Sequence, residues 1–247
     1  MTRVIALGAS NLTRGLRTVR DLSRTAFGPD TELFAALGLG RSYGAYHRLG
    51  IRGLPGILDC GLWRALDAAP RAGRTLAIVS DIGNDILYGY PPAQILAWVT
   101  EAVTRLERHT DAIAITALPA DNPSRVSPLQ FRIMRAVMFP SSRQTLETVT
   151  RDVAIVQDGL VQLAADRGHR LVRLRPEWYG IDPVHFRYPF WRRVWGEFLG
   201  LDDVQWQQPP TSGGLVETAG LWLRADEERW LFGIRQQTPQ QGALRLY

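Results

Sequence analysis

Short apolar runs alternate with longer stretches of helical period along the first 200 residues of this chain. Residues 4–7 are apolar enough for a buried strand, Gly8 and Ala9 permit a sharp turn, and Ser10, Asn11 and Thr13 are residues that cap a helix, here one running from about Arg14 to Arg24. A second strand is predicted over 31–37, closed by the loop Gly38-Leu39-Gly40-Arg41-Ser42-Tyr43-Gly44, where the glycines break both periods. A helix over about 56–68 leads to a third strand at 75–79, which ends in Ser80-Asp81-Ile82-Gly83-Asn84-Asp85. Pro91 and Pro92 open a helix to about Arg108 with Ile95, Leu96, Val99, Val103 and Leu106 on one stripe, and 111–118 reads as a fourth, central strand. Prolines at 119, 123, 128 and 140 bracket an excursion with an amphipathic helix at 129–139, placed where it can line a substrate pocket. A helix over 146–166 ended by Gly168, a fifth strand at 171–174 and a Trp- and Arg-rich helix at 190–199 complete the pattern. Repeated strand–helix units of this kind imply an α/β fold with five parallel strands and helices on both faces.

Beyond Gly200 the pattern changes. Gln205 to Gly214 is linker-like, and 220–224, 229–235 and 243–247 read as short strands, which divides the chain into a domain at 1–204 and a β-rich appendage at 205–247. The appendage carries Trp222, Trp230, Phe232 and Tyr247, too apolar to face water uncovered. It is expected to cover one face of the domain, to form a lip on the site, or to make a homo-oligomer contact.

At 247 residues the chain can bury a sizeable core without staples. The net charge of +5 invites a nucleic-acid reading, but all 29 basic residues are arginines scattered among acids and form no stripe, so no nucleic-acid partner is expected. No apolar run is long enough to span a bilayer, and the stretch before the first strand is too short for a signal peptide. With a single cysteine, Cys60, set among Leu58, Trp63 and Leu66 as on a helix core face, these features predict an intracellular, cytoplasmic protein.

The chemistry-bearing residues lie at strand ends. Ser10 follows the first strand at the carboxyl edge of the sheet, where open α/β sheets place their sites, which makes it a candidate nucleophile as well as a helix cap. Asp182 and His185 sit three apart in a loop, close enough for the carboxylate to orient the imidazole so that its other nitrogen takes a proton from a serine; a simple turn is the alternative. The other histidines are less suited: His109 ends a helix, His169 follows a helix-ending Gly and His47 lies among turn residues. A weaker reading groups Asp81, Asp85, Asp182 and His185 as a metal site, at a spacing that is not diagnostic.

Gly8-Ala9-Ser10-Asn11-Leu12-Thr13, the glycine loop, Gly83-Asn84-Asp85 and Asp182-Pro183-Val184-His185 together resemble the four sequence blocks of the SGNH (GDSL-like) hydrolases, in order and at successive strand ends over residues 3 to about 200. The resemblance implies a three-layer α/β/α fold with Ser10 as nucleophile, His185 as general base and Asp182 as its orienter. It also implies an oxyanion hole of the Ser10 N–H, a loop glycine N–H and the Asn84 side chain. Gly40 fits the glycine best because Arg41-Ser42 follows it as a polar pair, with Gly38 and Gly44 as alternatives. Two positions depart from the pattern: Ala9 stands where the family usually carries Asp, and Ile82 where the first Gly of Gly-x-Asn-Asp is expected. The implied activity is hydrolysis of a small-molecule ester without metal or organic cofactor. The alternatives are an acyltransferase using the same triad and a non-catalytic binding protein on the same fold.

Overall fold

The computed structural model describes residues 1–119, 126–180, 182–209 and 226–247. Its centre is β1 (Thr2–Leu7), where Val4, Ile5, Ala6 and Leu7 are all sealed from solvent. A strand buried on both faces needs apolar residues at every position, because alternate side chains point to opposite layers. Val4 and Ala6 pack toward α1 (Ser10–Phe27) and α7 (Trp191–Leu199); Ile5 and Leu7 pack toward α2 (Leu62–Ala68), α4 (Pro92–Glu107) and α6 (Leu146–Asp166). The result is the three-layer α/β/α arrangement. β1 pairs in parallel with β2 (Glu32–Ala36) on one side and β5 (Arg74–Val79) on the other, and β6 (Ala112–Thr116) and β7 (Arg170–Val172) extend the sheet.

All five expected strands are present, and a sixth joins them. β10 (Leu244–Leu246) from the tail lies parallel to β2 at the sheet edge, giving the order β10-β2-β1-β5-β6-β7. Its Leu244 and Leu246 enter the core under α1, and Tyr247 enters the core on the opposite face. The buried Arg41, in the loop after β2, donates to the carbonyls of Leu37, Pro55 and Tyr247, so this edge strand and the glycine loop are fastened together.

Elsewhere the expected elements shift for local reasons. Helix α1 begins at Ser10 itself, and no side chain of Ser10, Asn11 or Thr13 caps it. The Asp81 carboxylate does so instead, accepting the N–H groups of Ala9 at 2.7 Å and Leu12 at 3.1 Å. The expected helix at 56–68 divides into a 3₁₀ turn, Ile57–Asp59, and α2, because Cys60 is extended and the Ile57 carbonyl is taken by the Cys60 thiol and the Trp63 indole. A hairpin not expected from the pattern, β3 (His47–Leu49) and β4 (Arg52–Leu54), precedes it. The stretch read as linker-like begins in a helix instead, α8 (Asp203–Gln207), held by a capping box between Asp202 and Gln205.

The single strand expected at 229–235 is a hairpin, β8 (Glu228–Leu231) and β9 (Ile234–Gln237), because Phe232 and Gly233 both take positive φ and turn the chain. β8 pairs with β4, forming a second, antiparallel sheet in the order β3-β4-β8-β9. Of the tail aromatics, Tyr247 is buried, Trp230 is half-covered by Tyr46, and Phe232 is exposed; the strand expected at 220–224 and Trp222 lie outside the described residues. The excursion carries α5 (Pro128–Met138), capped by the reciprocal bonds of Ser127 and Gln130.

Candidate active site

Chain order reverses between β1 and β5, so the loops leaving their carboxyl ends diverge and open a crevice, the usual place for a ligand in such sheets. Ser10 stands at the first of these ends and Asn84 just past the second, as the first residue of α3 (Asn84–Tyr88). The loop after β7 brings His185 to the same place. His185 Nε2 lies 2.9 Å from Ser10 Oγ, and His185 Nδ1 lies 2.6 Å from Asp182 Oδ2. The other oxygen of Asp182 accepts the N–H groups of Val184 at 2.9 Å and His185 at 3.3 Å, so the loop backbone aims the carboxylate. With the Nδ1 proton directed at that carboxylate, Nε2 is left to accept the Ser10 hydroxyl.

Ser10 and His185 are more than nine-tenths buried, whereas the Asp182 side chain is 45% exposed. Burial alone would raise the Asp182 pKa. The hydrogen bond and positive charge of His185, with the two backbone N–H groups, outweigh it and hold the carboxyl below its ordinary value. An ionised acceptor is therefore kept beside the imidazole. Asn84 is buried, and its Nδ2 has no hydrogen-bond partner among the described residues. A buried amide donor without an acceptor is costly.

The other two donors expected from the sequence belong to the backbone. The Ser10 N–H is one of those a helix start leaves without an intrahelical acceptor, and Asp81 takes those of its neighbours Ala9 and Leu12. In the glycine loop, Gly40 alone of the three candidate glycines has a left-handed φ, 65°. A Cβ there would sit 2.5 Å from the Tyr88 hydroxyl, which donates to the Gly40 carbonyl at 2.6 Å and also bonds His47 Nε2 at 2.9 Å. The Gly40 peptide is thus fixed from behind by Tyr88 and His47, an arrangement with no signal in the sequence.

Asp85, next to Asn84, is buried and accepts the Tyr43 N–H at 2.9 Å. Burial pushes its pKa up to about 6 against the lowering pull of the Ser42 hydroxyl and the Tyr43 N–H. A raised carboxyl pKa means the folded state holds the proton more tightly than the unfolded chain. Its contribution to stability is complete below pH 4 and is lost as pH rises through about 6, an effect of about 3 kcal/mol. Melting temperatures of the wild type and Asp85→Asn measured from pH 4.5 to 7.5 should therefore diverge, with the wild type losing stability relative to the variant. Parallel profiles would refute the assignment.

The carboxylates grouped as a weaker metal reading do not converge: Asp81 is turned to the start of α1, Asp85 to Tyr43, and Asp182 to His185. Nor does their surrounding gather three metal-type side chains among the described residues. His109 and His169 do have carboxylate neighbours, Asp67 at 3.2 Å and Glu107 at 2.9 Å, brought there by the fold rather than by sequence proximity; His47 is bonded to Tyr88. Beside Asn84 and Val184 opens an apolar pocket of about 110 Å³ walled by Ile82, Leu87, Leu118, Val153 and, from the excursion, Val126, Phe131 and Met134. Ile82, the departure from glycine, is part of that wall.

No protein-family model matches the chain, and no curated protein matches it by sequence. Solved structures do. A carbohydrate acetylesterase family member from Sinorhizobium meliloti matches with 18% identity and a TM-score of 0.52 over 81% of this chain and 95% of that one. A member of the lipolytic G-D-S-L family from Veillonella parvula matches with 13% identity and a TM-score of 0.51 over 81% and 97%. A lipase/acylhydrolase from Enterococcus faecalis matches with 9% identity and a TM-score of 0.53 over 86% and 100%. At these identities the likeness is one of fold, and the fold is that of the SGNH-like hydrolases.

Proposed function

We propose that this chain, built on the SGNH hydrolase fold, is a serine ester hydrolase. The observation that carries the reading is the relay from Asp182 through His185 to Ser10, together with an Asn84 amide nitrogen that has no partner among the described residues. Ser10 Oγ attacks the ester carbonyl carbon as His185 Nε2 takes the hydroxyl proton, and the carbonyl oxygen becomes an oxyanion. The Ser10 N–H, the Gly40 N–H and the Asn84 amide donate to that oxygen, strongest where its charge is greatest. The tetrahedral adduct collapses by breaking the bond to the alcohol, which leaves with the proton from His185. Water, deprotonated by the same imidazole, then attacks the acyl-serine, releasing the acid and restoring Ser10.

The pocket beside Asn84 accounts for the acyl part. Its walls are predominantly aliphatic and aromatic, and its size is on the scale of the engineered cavity of about 150 Å³ that takes benzene, so it suits an unbranched acyl chain of a few carbons. Each methylene buried there is worth about 0.8 kcal/mol, or about fourfold in kcat/KM, until the pocket is full. A series of p-nitrophenyl esters from acetate to decanoate should rise by about that factor per carbon and then level off, and Met134→Trp should move the plateau to shorter chains. A fluorophosphonate probe should label the wild type at Ser10. Absence of labelling and of ester hydrolysis in the folded protein would refute the proposal, and an alcohol that outcompetes water would convert it to an acyltransferase.

A further inference from the structure

The turn after β1 lacks the carboxylate that the resembling family carries at the position of Ala9, yet a carboxylate sits there. It comes from Asp81, at the end of the neighbouring strand β5. Asp81 adopts a left-handed φ of 60°, which only an over-determined site sustains in a non-glycine residue and which short polar residues tolerate best. One of its oxygens accepts the N–H groups of Ala9 and Leu12; the other accepts the Asn11 side-chain amide at 2.8 Å.

Asn11 carries the connection further. Its Nδ2 also donates to the Val184 carbonyl at 3.0 Å, and its Oδ1 accepts the Phe186 N–H at 2.9 Å. Those two residues flank His185. The opposite amide orientation would set oxygen against the Asp81 carboxylate and the Val184 carbonyl and an N–H₂ against the Phe186 N–H, so the carboxylate fixes which way the amide faces. The Phe186 ring is itself held among Trp178, Tyr179, Trp195 and Phe198.

We propose that Asp81 and Asn11 are positioning residues that act as one clamp, tying the backbone on both sides of His185 to the turn that carries Ser10. The inference rests on the hydrolase reading for its catalytic consequence. Among the described residues His185 has no other direct hydrogen bond to the nucleophile helix than the one it must break and remake in each turnover, and misplacing it by about 1 Å can cost about 10²-fold in rate. The clamp holds His185 in place without touching the reacting atoms.

The test uses the full chain labelled with ¹⁵N-histidine, with the His185 ring signals assigned by their loss in His185→Ala. In Asn11→Ala the ring nitrogens of His185 should move from Nδ1-protonated values toward the averaged values of a free imidazole. On a p-nitrophenyl ester, kcat per folded molecule should fall roughly 10- to 100-fold with KM within about twofold. Asp81→Asn keeps an acceptor for the Ala9 and Leu12 N–H groups but turns a donor toward the Asn11 amide; it should shift the same signals and stands in wherever Asn11→Ala does not fold. The double variant should be no more than about threefold worse than the poorer single one, as for residues acting as a unit. Unmoved ring signals in a folded variant, or kcat losses that multiply, would overturn the clamp. A wild type inactive on every ester would defeat the hydrolase reading instead, while the ring signals still decide whether the clamp exists.

Discussion

Ser10→Ala should fold and melt like the wild type yet lose ester hydrolysis by about 10⁴- to 10⁶-fold in kcat, and lose all labelling by a fluorophosphonate. Among the described residues the hydroxyl makes one hydrogen bond, to His185 Nε2 at 2.9 Å, so little of the fold depends on it. His185→Ala should be nearly as damaging, since a serine without its base is a poor nucleophile at neutral pH. The double variant should be about as active as either single one, because nucleophile and base serve the same bond-making step. Asp182→Ala should cost less: its side chain is 45% exposed, and water can replace part of what it provides to Nδ1. Steady-state kinetics beside melting curves for the four variants decides this, and a folded Ser10→Ala with near-normal kcat would remove Ser10 from the mechanism.

Asn84→Ala is the second large effect expected, and it too should spare stability. An oxyanion donor binds the transition state better than the ground-state carbonyl, so its loss should lower kcat by about 10²- to 10³-fold and leave KM nearly unchanged. Because Nδ2 is buried with no partner among the described residues, the truncation removes no hydrogen bond at that nitrogen and relieves a desolvated donor. The melting temperature should hold or rise. The fluorophosphonate should still reach Ser10, more slowly. An Asn84→Ala variant that melts lower but turns over normally would identify Asn84 as a turn residue and end its oxyanion role.

Much of this arrangement was legible in the chain because its cues are local. An apolar run that stops at Gly8-Ala9-Ser10 can only be a strand meeting a turn, and the repeat of that event after β2, β5 and β7 aligned the four blocks with strand ends. The boundaries of α6, Leu146–Asp166, followed from helical period and Gly168. What stayed hidden depends on partners far apart in sequence. β3 and β4 are three-residue strands, too short to show alternation. β10 reads as one more tail strand, and nothing in Leu244-Arg245-Leu246 says that its partner is β2 rather than the neighbouring hairpin. Asp81 was visible only as a loose member of an acidic group, because its left-handed backbone and its reach to Ala9 exist only once β1 and β5 lie side by side. The absence of Asp at position 9 read as a loss; in the folded chain the carboxylate has changed strands.

The fastening of Arg41 to Tyr247 has a bearing on how the protein comes into being. On a ribosome, Arg41 emerges long before one of its acceptors, the Tyr247 carbonyl, which follows 206 positions later. At about 5–20 residues per second, that interval is roughly ten to forty seconds. During it, β2 is an open sheet edge and the guanidinium lacks a carbonyl that later fixes it. The nascent polypeptide can thus assemble most of the core while the loop is held only by its other bonds, from Arg41 to the Leu37 and Pro55 carbonyls and from Tyr88 to the Gly40 carbonyl. The last fastening of the Gly40 loop therefore waits until the edge strand has docked.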